Sequence, residues 1–480
     1  MKNIKYSGKT RTETDLLGSK EIPIEALYGI QSQRGFENFV ISNERQCEYP
    51  NFIKGFALTK KGAAIANHKQ GLLTDEQFKA ICQACDEIYE GQWHEHFLSD
   101  MIQGGAGTTM NMNANEVIAN RGLQIMGKEA GQYEYLSPND HVNCSQSTND
   151  AYPTAFHFGL YMESKKLIES LEKLVAALNK KAEEFAHVIK MGRTQLQDAV
   201  PMTLGQSFKA FADSLDIERK RLIEEEKHFL IVNMGATAIG TGICSQPGYS
   251  KLCVDALREI TGWDVKLTKN LVESTHDTSV LVGLSSQLRR IALKTIKICN
   301  DLRLMGSGPR AGFHEIFLPE MQPGSSIMPG KVNPVISEVM NQICYRVIGN
   351  DTTVMLGSEN AQLELNVMEP VMVYSLFNSI DLLTNGFNTL RSKCIDNIKA
   401  DVENCRKQVR HSIGIVTALN PIIGYKNSTK IAKEAMETGK GVYELVLEHD
   451  ILSKEDLDTI LLPENMIEPV KLDIKPKKLL

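Results

Sequence analysis

Leu281, Leu284, Leu288, Ile291, Thr295, Ile298, Leu302 and Met305 follow one another at spacings of three and four. That period holds one face of a helix for about seven turns, with a single polar interruption, and suits packing along the whole length. The same spacing returns in Leu167, Leu171, Leu174 and Leu178, and in Leu204, Phe208, Phe211 and Leu215. It returns again in Ile336, Met340, Ile343 and Val347, and in Leu376, Ile380, Leu383, Phe387 and Leu390. Five long amphipathic helices predict an all-α chain built around a long five-helix bundle, with the bundle larger than one chain.

The patterning divides the 480 residues into three parts. Residues 1–147 form a mixed, mainly helical N-terminal domain broken by Pro23, Pro50 and Pro138. Residues 148–403 carry the long helices, and residues 404–480 a small helical C-terminal domain in which Ser453 with Asp456 marks a helix start. A net charge of −6 without a basic half argues against nucleic acid as the main partner. No apolar run reaches the 18 residues a membrane span needs. Met1-Lys2-Asn3-Ile4-Lys5 leads into polar residues rather than a secretory core, so the expected compartment is the cytoplasm. Ten scattered cysteines lack the density of a disulfide scaffold, and the Cys82–Cys85 pair has no second pair to complete a zinc site. His94 and His96 make an HxH without a nearby third ligand, which reads as structural.

Chemistry concentrates in four polar connections, each placing hydroxyls and amides beside glycine or proline at a predicted helix start. They are Gln103–Asn113, Asn143–Asp150, Lys190–Asp198 and Gly324–Pro334. In the second, Ser147 and Asp150 have the spacing of a capping box. None is a phosphate loop, because no Gly-Lys-Ser/Thr follows Gly104–Gly107, and Gly439-Lys440-Gly441 fails the same test. The fourth, Gly324-Ser325-Ser326-Ile327-Met328-Pro329-Gly330-Lys331-Val332-Asn333-Pro334, joins two hydroxyls, a cation and an amide to a helix start. Asn333 is the expected N-cap and Pro334 the first helical residue. Such a set suits a small anion. Ser325 lies outside any GxSxG, and the nearest histidine, His314, sits in a different loop, which argues against the competing reading of a triad hydrolase.

The fourth connection resembles the marker segment of the aspartase/fumarase superfamily, and the other three resemble its remaining substrate-binding segments. Agreement extends to Glu13-Thr14-Asp15-Leu16-Leu17-Gly18, Gly308-Pro309-Arg310, Val347-Ile348-Gly349-Asn350-Asp351 and Ala418–Tyr425, covering about residues 10–465. The resemblance implies elimination from a succinyl compound to release fumarate. It makes Ser325 the general base, with Thr108, Ser147, Thr148, Asn149, Thr194, Gln195, Ser326, Lys331 and Asn333 binding the substrate. It implies a homotetramer with active sites shared between chains and no required cofactor. Magnesium activates some members; this sequence shows no site for it.

Two positions bear on the leaving group. Fumarases in the family carry histidine where this chain has Gln195, and an amide cannot exchange a proton near neutral pH. Thr194–Met202 and Asn333-Pro334-Val335 resemble the aspartases. Gly330 is the residue fumarases favour, and Glu338 matches a glutamate that pairs with the fumarase histidine. The expected reaction is therefore reversible conversion of L-aspartate to fumarate and ammonia, with a class II-type fumarase (fumarate hydratase) as the alternative. Argininosuccinate- or adenylosuccinate-type lyases fit the flanking segments less well. Reuse as an inactive structural protein predicts damage at Ser325 or Lys331, and both are intact.

Overall fold

The computed structural model describes residues 4–480; Met1–Asn3, which open the segment read for a targeting signal, lie outside it. All five expected long helices are present, as Thr148–Glu184, Leu204–Glu225, Ser279–Met305, Val335–Glu359 and Glu369–Lys393. The eight positions of the Leu281–Met305 stripe are all buried, Thr295 included. In the Val335 helix the buried line runs instead through Met340, Cys344, Val347 and Val354, leaving Ile336 and Ile343 half-buried. Apart from three isolated bridges, four two-stranded sheets are the only β-structure among the described residues. No helix there is long and apolar enough to cross a membrane.

Two compact units emerge. The first is built from the chain up to Glu169, from Glu218–Ala292 and from Cys344–Thr384; the second from Ser170–Ile217, Leu293–Ile343 and Asn385–Leu480. Each long helix gives residues to both. In the first unit the helices Pro50–Lys69 and Thr148–Glu184 meet at Gly55 and Gly159. A Cβ on Gly55 would sit 2.0 Å from the Ala155 carbonyl oxygen, so only glycine permits this approach. Beside the crossing Phe52 stacks on Phe56 and Phe377 at centroid distances of 5.4 and 5.3 Å. In the second unit the hairpin Ile189–Thr194/Gln197–Thr203 buries Ile189 and Met191 against Ile415, Leu419, Ile431 and Leu445. Ser453 caps the helix Lys454–Ile460, its Oγ accepting the Asp456 N–H at 3.0 Å.

No disulfide links the cysteines among the described residues, and seven of the ten are buried. His94 and His96 are buried and engaged with backbone. His94 Nε2 lies 2.8 Å from the Ile88 carbonyl oxygen, and His96 Nδ1 accepts the Leu27 N–H at 3.2 Å.

Candidate active site

In the first unit, the first and second connections are stitched together. Thr108 opens the helix Thr108–Ile125, its hydroxyl donating to the Gly105 carbonyl at 2.7 Å. One turn on, Asn111 Nδ2 donates to Thr148 Oγ1 at 3.3 Å and to Asn143 Oδ1 at 3.2 Å. Of the expected capping box between Ser147 and Asp150, one half forms. The Asp150 carboxylate accepts the Ser147 N–H at 2.9 Å, while Ser147 Oγ accepts from Asn149 rather than from Asp150. Asp150 is fully buried, and its other oxygen accepts the N–H groups of Gly235 and Thr237 at 3.0 Å each. Burial holds the carboxyl above its ordinary value, and those N–H donors offset part of the rise. Asn149 is fixed from both ends, donating to the Ala238 carbonyl at 2.8 Å and accepting from Asn233 at 3.1 Å.

In the second unit, Thr194 and Gln195 stand at the tip of the hairpin. Gln195 and Leu196 both have left-handed backbones, with φ of 52° and 62°. Such a two-residue turn normally takes Asn-Gly, so a Gln-Leu pair carries strain, on the order of 1 kcal/mol or more per residue. Ala106 and Ser145 in the first two connections are left-handed as well. Arg193 anchors the hairpin. It donates to the buried Glu315 carboxylate and, at 2.8 Å, to Gln408. Glu315 also lies 3.2 Å from the Lys190 ammonium.

The fourth connection is closed only at its neck. Gly324 N–H donates to the Lys331 carbonyl at 2.7 Å, and Pro323 bridges to Val332. Asn333 Nδ2 donates to the Gly324 carbonyl at 2.8 Å. This corrects the expected cap: with the Asn333 amide fastening the loop, the helix starts at Val335, and the Pro334 carbonyl accepts its first bond from Glu338. A Cβ on Gly324 would lie 2.8 Å from both the Asn333 nitrogen and the Lys331 oxygen. Ser325 Oγ accepts the N–H groups of Ile327 at 3.2 Å and Met328 at 3.0 Å. Ser326 is exposed beside it, and the Lys331 ammonium has no ion-pair partner among the described residues. Lys331 and Asn333 line an open cavity of about 960 Å³ together with Arg303, His314 and Glu320. His314 Nδ1 lies 3.0 Å from Asp401.

The structure thus brings Thr108, Ser147, Thr148 and Asn149 together in one unit, and gathers Ser325, Ser326, Lys331 and Asn333 in one loop of the other, where Thr194 and Gln195 occupy the hairpin tip. Residues not singled out from the sequence hold these groups in place: Asn111, Arg193, Glu315 and, behind Asn111, Lys60, whose ammonium donates to Asn111 Oδ1 at 2.7 Å. Lys60 had a legible signal, falling four residues after Phe56 and eight after Phe52 on an apolar face.

A family model described as Lyase matches residues 18–349, and one described as Fumarase C C-terminus matches residues 415–468. An aspartate ammonia-lyase of Pseudomonas aeruginosa is 54% identical over 462 residues, spanning 96% of this chain and 97% of its own. One from Helicobacter pylori is 52% identical over 459 residues, spanning 96% and 98%. Among solved structures, a Brucella melitensis fumarate lyase:delta crystallin bound to cobalt superposes with a TM-score of 0.94 at 48% identity, covering 96% of this chain and all of that one. A class II fumarase from Schistosoma mansoni follows with 0.90 at 33% identity, covering 95% and 99%. With the helices, the marker loop and nearly the full length in agreement, the chain belongs to the aspartase/fumarase superfamily.

Proposed function

We propose that this protein is an ammonia-lyase that converts L-aspartate reversibly to fumarate and ammonia, with Ser325 as the general base. The observation that carries the base assignment is the pair of main-chain N–H groups aimed at Ser325 Oγ. A serine hydroxyl is a poor base in water, and two fixed donors favour its alkoxide, as donors do for any developing oxyanion. The alkoxide takes the proton from Cβ, and the electron pair left behind spreads into the adjoining carboxylate as a doubly charged aci-carboxylate. Lys331 and Asn333 hold that charge. Each such donor typically contributes about 3–4 kcal/mol to lowering a barrier of this kind. The Cα–N bond then breaks, nitrogen leaves with its electron pair as neutral ammonia, and the double bond of fumarate forms.

Thr108, Ser147, Thr148, Asn149, Thr194, Gln195 and Ser326 bind the two carboxylates and the amino group. An ammonium leaving group needs no acid, which accords with an amide at Gln195 where an imidazole would serve water. Relatives named aspartate ammonia-lyase at 50–54% identity support ammonia as the leaving group, against 33% for the fumarase. The protein's own side chains supply every proton transfer and charge contact in this scheme, so it calls for no organic cofactor; a magnesium titration of the aspartate rate tests activation by that ion.

We read the working form as a homotetramer in the cytoplasm, each site completed by neighbouring chains. Supporting assembly, the long helices expose Leu293, Tyr345, Met355 and Leu356 at 50–57%, apolar side chains of the kind that a second copy would cover. The test is ultraviolet absorbance of fumarate with L-aspartate and L-malate offered in parallel. Aspartate turnover is expected, and turnover of malate alone would overturn the proposal. Gel filtration of active enzyme checks the assembly, and a fully active monomer would refute shared sites.

A further inference from the structure

Lys60 is among the largest fully buried side chains, yet no carboxylate pairs with it among the described residues. Its three N–H donors go to three amide oxygens: Asn111 Oδ1 at 2.7 Å, Gln146 Oε1 at 2.9 Å and Asn143 Oδ1 at 3.1 Å. A buried charge held only by neutral groups is costly, and apolar residues normally fill such a position. What the charge supplies is polarity. The charged form only donates, so while Lys60 keeps its proton each amide facing it presents oxygen and turns its NH2 away.

The turned NH2 groups then order the second connection. Gln146 donates to the carbonyls of Val142 and Cys144 at 2.9 and 3.0 Å, and Asn143 to the Gln146 carbonyl at 3.2 Å. Asn115 adds a further donor to Asn143 Oδ1 at 3.0 Å. Asn111 Nδ2 donates to Thr148 Oγ1. Thr148 Oγ1 is thereby an acceptor from Asn111, and its own hydrogen, without an acceptor among the described residues, is left free to donate.

We infer that Lys60 is a positioning residue whose contacts with Asn111, Asn143 and Gln146 set the hydrogen-bond direction of the second connection, presenting Thr148 to a substrate carboxylate as a donor. The inference rests on the reading of Thr148 as a substrate contact. Three titratable groups bear on the ammonium from the elements around it: Asp150 at the start of the Thr148 helix, Cys85 on the helix Asp75–Tyr89 and Cys253 on the helix Tyr249–Thr261. Among them Asp150 favours the charged form most, and a bound dicarboxylate adds to that preference.

The test is a double-mutant cycle on the full-length enzyme with L-aspartate as substrate. Lys60→Met and Thr148→Val should each lower kcat/KM about tenfold, mainly through KM, the loss of one hydroxyl–carboxylate hydrogen bond. The double variant should be no worse than either single one, because both remove the same contact. Should Lys60→Met not fold, Asn111→Asp replaces it. That variant keeps a partner for the ammonium, removes the donor to Thr148, and should show the same tenfold loss and the same non-additivity. Multiplying effects, or an Asn111→Asp enzyme with the parent kcat/KM, would overturn the positioning role alone, provided the parent turns over L-aspartate. A parent enzyme without aspartate turnover would overturn both the inference and the proposed reaction.

Discussion

The second connection and the loop Gly324–Asn333 are built in opposite ways. Around Thr148 the side-chain amides are committed, with Lys60 and Asp150 buried behind them. The loop is fastened at its neck, while Ile327 at its tip is 84% exposed. A group that binds carboxylate gains from being immobile before the ligand arrives. A group that takes a proton must reach the substrate and then let product leave, and a lightly packed segment permits that. The contrast teaches that the stability of the protein and the rate of its chemistry are vested in different residues.

Ser325→Ala tests the contrast most severely. It should lower kcat by about 1000-fold, within the range for a general base, and leave Tm unchanged. Loss of Tm with the rate preserved would break the division. Gly324→Ala should come next. Its Cβ would push against backbone at 2.8 Å, spread the neck and misplace Ser325, for a loss of about 10- to 100-fold in kcat measured with saturating aspartate. Thermal stability should hold, because little of the loop is buried.

The third prediction concerns pH and the buried side. Burial holds the Lys60 ammonium down to about 7 from an ordinary value of 10.5. Between those values the unfolded chain binds more protons than the folded one, so this residue adds stability as pH rises through the window. Lys60→Met removes that contribution, so Tm of the parent minus Tm of the variant should grow by about 3–4 °C from pH 7 to 10. A difference that shrinks would mean the lysine is not desolvated as the structure has it. The smallest effect belongs to the hairpin tip. Leu196→Gly relieves a left-handed backbone on a side chain that packs little, and should raise stability by about 0.5–1 kcal/mol in a denaturant titration. An unchanged midpoint would place the strain elsewhere.

The five long helices were legible because a three-four spacing held over 12 to 25 residues leaves few alternatives. The Val335 helix shows where this weakens: Ile343 and Cys344 both fit a three-four spacing between Met340 and Val347, and it is Cys344 that faces the core. The polar connections stood out by composition, but their internal bonding did not. Two main-chain donors on Ser325 Oγ arise from a local loop conformation that no spacing encodes. The grip of Arg193 on Glu315 spans 122 positions, beyond any windowed pattern. Asn333 misled for a related reason: its amide had two local uses, capping or fastening, and closure of the neck took it.

Each compact unit is assembled from three separated stretches of chain. No single crossover between two related genes can therefore transfer one unit intact, and any such exchange would splice a long helix in mid-course. Changing what leaves from the substrate must then proceed connection by connection, through point changes such as those at Gln195, rather than by shuffling modules.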